Sequence, residues 1–539
     1  MRDASSAASH AAAAPLWSRR AVRLRVVCLI SLALTIEGLM RTNLHMAYVC
    51  MVADAQLEPA RASLRDSNDS CPVLSLGNTT AYEYKGTLEW TSCQRAFLFP
   101  VFYVGGLAAT LSCELLNRRL GASRVVLYGA VVNVVGTLAT PVIAVHLGPA
   151  TLAIVRFFMG FGQGVLMPCM SVLVAAWFPV YEKSTALAIA TTGNQLSIIF
   201  GLFFTAELCQ LPLFGGWPLA FYIYGALGVV LVVLWWLVVA DSPAASKAVS
   251  DAEKQLILGT NSSAVPTSTV HSTSILARNR KPPKTRWSAL LSSLVVWSIC
   301  ASSFCHNFIV VGIAVYLPFY YKSALNMSLT SNGLLSALPF ICQFISKVLF
   351  ASFADISKQR RWMSVTAATK LCNSTASFGI AASFVFLSLC DCSSRWLAVA
   401  AACTAMAFVS GFIPGYSTSV VCVAPSQTAG VAAISRFWAQ VGMTLAPWLI
   451  GVYIRTGSID EWRVIFVGMA ALCFLTGGFF QLCGSASLQP WNDEKKRASS
   501  LLADASKNSG VGDLKQMADR SLLLELGSVD EKALNSQAA

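Results

Sequence analysis

The chain has 539 residues, of which 55% are hydrophobic and only 12% are charged, and its mean hydropathy is +0.61. Soluble globular proteins carry roughly 25% charged residues, so this composition excludes an ordinary soluble fold and predicts a chain that crosses a lipid bilayer many times. The net charge of +13 does not indicate nucleic-acid binding, because most lysines and arginines lie in polar loops or at the ends of apolar segments, as the positive-inside rule expects.

Twelve apolar segments are long enough to span a bilayer, at about 20 residues each. The first six lie near 26–52, 95–116, 124–147, 150–177, 185–208 and 218–240. The other six lie near 288–320, 331–354, 364–389, 396–422, 429–454 and 463–484. The sequence therefore predicts an all-α membrane protein with twelve transmembrane helices in two six-helix bundles, over 26–240 and 288–484, which is the layout of a two-bundle transporter.

The polar segments predict the orientation in the membrane. The N-terminal tail 1–25, with five arginines, the linker 241–287 and the C-terminal tail 485–539 carry clustered basic residues and are expected in the cytosol. The loop 53–92 is expected on the opposite side, where Asn68 and Asn78 lie in glycosylation sequons.

The cysteines indicate no metal site, because no CxxC motif is paired with a second one among the seventeen. Cys71 and Cys93 lie in or beside the loop 53–92 and can form a disulfide if that loop faces an oxidising compartment; the sequence leaves this open. No nucleophile elbow, Walker motif or cofactor motif is present, so neither an enzyme nor a bound cofactor is expected.

Charged residues inside the predicted helices need an explanation, because each costs about 2.5–3.5 kcal/mol at the bilayer centre. Glu37 and Arg41 lie four residues apart in the first helix, so they either neutralise each other or leave Arg41 to grip an anionic substrate through its guanidinium. Arg156 in the fourth helix is the second candidate, and its alternative is to extend to the membrane interface.

Polar residues in other helices are candidate cavity residues. These are Asn194, Gln195, His306, Asn307, Tyr103 and Tyr316. Gly160, Gly162 and Gly164 precede Pro168, a pattern that favours either close helix packing or a bend in the fourth helix.

Several longer motifs resemble one family. "RTNLHMAYV" in the first helix, "GFGQGVLMPCMSVLVAAWFPVYEKS" through the fourth and "GNQLS" in the fifth are similar to the sialin, vesicular glutamate and sodium–phosphate type organic anion transporters of the major facilitator superfamily. The resemblance covers about residues 25–490. It implies that Arg41 holds the acidic group of the substrate and that Arg156 occupies a second arginine position.

The departures from the family concern ion coupling. Gln163 stands where the family usually has a glutamate associated with proton coupling, Phe99 where glutamate-type members have a histidine, and His306 where those members have an arginine. Arg118 stands where the family has an aspartate in the loop between helices two and three. Coupling through the fourth helix is therefore not expected, and His306, Glu37 or the membrane potential remain as alternatives.

The sequence predicts a monomeric transporter of small organic anions, driven by H+, Na+ or the membrane potential. Two alternatives stay open: a sodium-coupled phosphate or anion cotransporter, and a membrane sensor or scaffold that does not transport. "DRSLLL" at 519–524 fits an acidic dileucine sorting pattern, so the plasma membrane and the endolysosomal or vesicular membranes are both open.

Overall fold

The computed structural model describes residues 21–52, 86–179, 182–211, 213–246, 249–250, 253–257, 287–424 and 427–489. The predicted glycosylation sites Asn68 and Asn78, the side chains of Cys71 and Cys93, nearly all of both tails and the sorting pattern at 519–524 lie outside the described part of the chain. The glycosylation sites therefore stay predictions, whereas the predicted pairing of Cys71 with Cys93 cannot form together with the disulfide at Cys392, because the fourteen other cysteines with described side chains are free.

The described residues form twelve long helices, which confirms the predicted all-α fold. In the N-terminal half these are α1 (Val22–Met51), α2 (Ser92–Leu120), α3 (Ala122–His146), α4 (Gly148–Trp177), α5 (Lys183–Gln210) and α6 (Pro218–Val238). In the C-terminal half they are α7 (Leu294–Ser323), α8 (Leu329–Gln359), α9 (Val365–Ser388), α10 (Cys392–Cys422), α11 (Thr428–Tyr453) and α12 (Ile459–Cys483).

Ten of these helices are long and apolar enough to cross a membrane. The two others are α1, which carries Glu37 and Arg41, and α11, which carries Arg436 and Gln440. Both contact the opposite half of the chain, α1 against α7 and α11 against α2. Polar residues within a membrane are tolerated where they face the bundle interior or a cavity, so the charged and polar residues of these two helices fit a central position.

The two halves meet through α2 with α11, α5 with α8 and α1 with α7. At the end of α1, the Lys322 ammonium group donates to the carbonyl of Val49 at 2.9 Å. At the end of α5, Thr330 donates to the Gln210 side chain at 3.0 Å. These contacts close the bundle interface on the side of the membrane where α1 ends.

The two ends of α1 differ in burial. Every residue over Thr42–Met51 is buried, whereas Cys28 and Leu32, near the start of the helix, are exposed. The two bundles therefore enclose the second half of α1 and leave part of the first half accessible.

Glycines allow α2 and α4 to pack backbone against backbone. A Cβ atom added to Gly160 would collide with the carbonyl oxygen of Phe102, and one added to Gly105 would collide with the carbonyl oxygen of Phe157. Close approach through small residues is a standard basis of helix association in membranes. Helix α4 is also interrupted at Val165, three residues before Pro168, so the glycine-rich motif combines close packing with a break.

Gly160→Ala should destabilise the protein by about 1–3 kcal/mol, the usual cost of forcing a methyl group into a packed interior. Gly478→Ala is the matched control, because a Cβ atom at Gly478 meets nothing within 4 Å. Thermal unfolding in detergent measures the difference. Equal unfolding temperatures for the two variants would contradict the packing described for α2 and α4.

Cys392, at the start of α10, is disulfide-bonded. The fourteen other cysteines whose side chains are described are free, so the partner of Cys392 lies outside the described side chains. Disulfides persist in oxidising compartments. The disulfide therefore fits a non-cytosolic position for the connection between α9 and α10.

Candidate functional site

The charged residues of α1 lie along one face of the helix. Glu37, Arg41 and His45 follow each other at intervals of four residues, which places them one turn apart on one face. The Glu37 side chain is 3% exposed and both carboxyl oxygens are enclosed without a hydrogen-bond donor among the described residues. The interaction between Glu37 and Arg41 is electrostatic rather than a direct ion pair, since their charged atoms are not within 4.0 Å.

Small residues bring α5 against this part of α1. A Cβ atom at Gly38 would meet Ser197, and one at Gly193 would meet the carbonyl oxygen of Ser31. This contact places Asn194 beside Arg41, whose Nη2 atom donates to the Asn194 Oδ1 atom at 3.2 Å. The amide therefore orients the guanidinium without neutralising its charge.

Arg156 brings a second guanidinium to the same region. Its side chain is 2% exposed, its Nε atom has no acceptor among the described residues, and its guanidinium carbon lies 5.5 Å from the centre of the Phe102 ring. Tyr103 lies within electrostatic range of both Arg41 and Arg156. Three of the predicted site residues, from α1, α2 and α4, therefore come together in the N-terminal bundle.

The C-terminal bundle contributes a separate polar group. The His306 Nδ1 atom is 2.9 Å from the Tyr416 hydroxyl, and the imidazole stacks on Phe412 at 5.2 Å between ring centres. Lys347 lies within electrostatic range of His306 and donates across the bundle interface to Gln195 at 3.4 Å. Because Gln195 follows Asn194 on α5, this contact connects the two groups of polar residues.

Three other predicted residues, Tyr316, Asn307 and Gln163, are not bonded to Arg41. The Tyr316 hydroxyl donates to the carbonyl of Pro447 at 3.0 Å, and Asn307 donates to the carbonyl of Ser303 on its own helix at 2.8 Å. The Gln163 Oε1 atom is enclosed without a donor among the described residues. None of these contacts connects the three residues to Arg41.

His45 is the residue of this site that the sequence-based prediction omitted. It is 5% exposed, lies within electrostatic range of Arg41 and Arg156, and its ring meets the edge of Phe99 at 5.7 Å between centres. Its position four residues after Arg41 could have indicated this, because residues four apart lie on the same face of a helix. Tyr416 and Phe412 had no comparable signal, because they lie about 110 residues from His306 in a segment where α10 leaves regular α-helical geometry.

A third charged group lies at the start of α1. The Arg23 Nε atom is 2.9 Å from a carboxylate oxygen of Glu182, which precedes α5, and Arg23 Nη1 is 3.7 Å from Glu253 in the linker segment 253–257. Glu253 also accepts from the backbone amides of Val22 and Arg23. A negative charge is stabilised in this position, because the N-terminus of a helix carries a partial positive charge. Burial raises the pKa of Glu182 above its ordinary value, although Arg23 opposes this effect.

Arg23→Met should lower the free energy of unfolding by about 3 kcal/mol, because it leaves Glu182 and Glu253 close together without the buried cation. Without Arg23 the pKa of Glu182, already raised by burial, should rise further. A carboxyl group with a raised pKa favours the folded state below its unfolded pKa and loses that contribution as pH rises. The destabilisation should therefore grow from about pH 5 to pH 8.

Thermal unfolding of wild type and variant over that pH range measures this effect. Arg118→Met is the matched control, because Arg118 pairs with Glu114 on an exposed surface where the side chains are 76% and 72% accessible and such pairs contribute little. A loss of stability in Arg23→Met that does not change with pH would contradict the assignment.

The model of the Major Facilitator Superfamily matches residues 72–373. The chain is 27% identical over 485 residues to a Drosophila melanogaster protein named "Putative inorganic phosphate cotransporter", covering 89% of this chain and 88% of that protein. It is 26% identical over 459 residues to human sialin, covering 84% and 87% of the two chains.

The solved structures share the fold at low sequence identity. A bacterial homologue of the human lysosomal transporter Spinster, in an inward-facing and unoccupied conformation, superposes with a TM-score of 0.58 at 12% identity, covering 86% of this chain and 98% of the other. Both the family match and this superposition agree with two bundles of six helices.

Proposed function

Because the chain belongs to the Major Facilitator Superfamily and is a multi-pass membrane transporter, we propose that its substrate is a small organic anion. The observation that carries the proposal is the pair of guanidinium groups of Arg41 and Arg156 within the membrane, neither of which is within 4.0 Å of a carboxylate of the described residues. Arg156 is buried and Arg41 is half-buried. Cations removed from water without a protein counter-ion are costly, and a bound anion would offset that cost.

The position of the site supports transport by alternating access. Arg41 and Arg156 lie in the N-terminal bundle, and Lys347 of the C-terminal bundle contacts Gln195 beside them. The bundles are closed where α1 ends. If the termini are cytosolic, as the loop charges predict and the disulfide at Cys392 supports, this is the inward-facing conformation of a monomeric transporter.

Glu37 is the group we assign to proton coupling. An ionised carboxyl group is unfavourable where no donor reaches it, so Glu37 is expected to hold a proton in this conformation. Its place one turn from Arg41 allows the substrate and the proton to influence each other electrostatically. His306 is less suited to this role because its Nδ1 atom is already engaged by the Tyr416 hydroxyl.

The second candidate function is sodium-coupled transport of inorganic phosphate or another anion, which the name of the Drosophila relative favours. Phosphate would use the same two guanidinium groups, because arginine binds carboxylate and phosphate with the same fork of donors. The two candidates therefore differ in the coupling ion and not in the site. The relatives leave the plasma membrane and endolysosomal or vesicular membranes as alternative locations.

Uptake of labelled carboxylates and phosphate into proteoliposomes tests the proposal when the pH gradient, the sodium gradient and the membrane potential are imposed one at a time. Proton-coupled transport predicts accumulation with the pH gradient alone. Accumulation only with sodium would establish the second candidate, and accumulation only with potential would indicate a uniporter. A purified, folded protein that takes up no anion under any gradient would contradict both candidates and favour a sensor.

A further inference from the structure

The positive charge of Arg41 and Arg156 limits the kind of anion that can neutralise the site. Arg41 donates to the neutral amide of Asn194, and Arg156 lies over the uncharged ring of Phe102. Neither arginine makes an ion pair within the described residues. The site therefore holds two positive charges that are oriented by neutral groups.

The acids near these charges are few. Glu37 interacts electrostatically with Arg41, but it holds a proton in the coupling scheme proposed above and then contributes no negative charge. Among the described residues, Tyr103 is the non-basic titratable side chain in electrostatic range of Arg156, and its phenol is neutral near physiological pH. No group of the described residues neutralises the two guanidinium groups, so the substrate must supply the negative charge for both.

His45 extends the site without changing this balance. It lies within range of both arginines, so a third positive charge on its ring would be repelled by two cations. A neutral imidazole offers one donor and one acceptor, which can bind a polar substituent but cannot replace a negative charge. Phe99 packs against the same ring and adds an apolar wall.

We propose that the site binds dianions: substrates with two carboxylates, or with one doubly ionised phosphoryl group, whose negative charges are shared between Arg41 and Arg156. A monovalent anion would neutralise one guanidinium and leave the other without a counter-ion, which is unfavourable for the half-buried Arg41 and more so for the buried Arg156. This inference rests on the proposed function, because the same two arginines hold the transported anion.

The test compares probes of matched shape that differ by one charge. Succinate and its monoamide, succinamate, form one pair, and phenyl phosphate and its methyl ester form the other. Each probe is used near neutral pH to inhibit proteoliposome uptake of the labelled anion that the wild-type protein transports. In the wild type, the dianion of at least one pair should inhibit about 10- to 100-fold more strongly than the monoanion, as expected for one additional charge-assisted hydrogen bond.

Arg156→Gln should remove most of that preference, because inhibition by the dianion becomes weaker while inhibition by the monoanion changes little. Arg156→Lys, which restores the charge, should recover part of the preference, and thermal unfolding shows that both variants are folded. Equal inhibition by both members of each pair in the wild type, or equal weakening of both by Arg156→Gln, would overturn the inference and leave anion transport intact. If the wild type transports no anion, the proposed function fails and this inference fails with it.

Discussion

Anion uptake should fall by about 30-fold or more when Arg41 is replaced by glutamine. The Arg41 side chain is half-buried, oriented by Asn194 and unpaired with any carboxylate of the described residues, so the substrate provides its counter-charge. Loss of one partner of a buried charge pair costs about 2–5 kcal/mol, which corresponds to about 30- to several-thousand-fold in affinity. The measurement is the initial rate of labelled anion uptake into proteoliposomes at equal protein content.

Two further variants separate binding from folding. Arg41→Lys keeps the charge but loses the planar fork of donors, so we expect intermediate uptake. Arg463→Gln is the matched control, because Arg463 pairs with Asp460 at an exposed end of α12, and its uptake should equal that of the wild type. Wild-type uptake by Arg41→Gln would show that the anion binds elsewhere.

Glu37→Gln should abolish accumulation driven by a pH gradient while leaving exchange of substrate across the membrane. Glutamine has nearly the shape of protonated glutamate but cannot release a proton, so the variant should behave like the permanently protonated protein. Because the carboxyl group is enclosed without donors, the substitution removes no hydrogen bond of the described residues. Uptake with an imposed pH gradient, beside exchange without any gradient, measures the two activities separately.

The control for this prediction is Glu114→Gln, an exposed residue paired with Arg118, which should leave both activities unchanged. His306→Gln tests the rival assignment of proton coupling. If Glu37→Gln still accumulates anion with the pH gradient, and His306→Gln does not, the coupling proton belongs to the C-terminal bundle.

Most of the fold could be predicted from the sequence because the bilayer imposes a simple rule: about 20 apolar residues for each spanning helix. All twelve predicted helices are present. The two that are not among the ten candidate membrane spans, α1 and α11, carry Arg41 and Arg436. Hydropathy therefore predicted the number of helices well, whereas it carried no information about which helices contact each other.

The assembly of the site depended on those contacts. Arg41 and Asn194 are 153 residues apart, and nothing in either motif indicated that they are bonded. Their contact follows from Gly38 and Gly193, whose missing side chains bring α1 and α5 close together. Lys347 of α8 likewise donates to Gln195 across the bundle boundary, a contact between residues 152 positions apart in the chain.

The family's aspartate is missing from the loop between α2 and α3, but an aspartate from a distant part of the chain lies in the same place. Arg118 stands where the family pattern has an aspartate, and its side chain is exposed. The same short connection between α2 and α3 nevertheless holds a carboxylate: Asp241, after α6, accepts from the backbone amide of Ser123 at 2.7 Å. Gly121 approaches this carboxylate with a φ of 88°, a conformation that glycine adopts without strain. A pattern read in one loop could not show an acid supplied 118 residues later.

Counterflow tests the central claim most directly, because exchange needs a carrier with an anion site that alternates between the two sides but needs no coupling ion. Proteoliposomes are loaded with an unlabelled anion and exposed to a trace of the labelled one, with no pH gradient and no membrane potential. We predict a transient accumulation of label above its equilibrium level for the wild type and Glu37→Gln, and none for Arg41→Gln. Absence of this overshoot for every carboxylate and phosphate tested, with a protein that remains folded, would contradict anion transport through the Arg41 site.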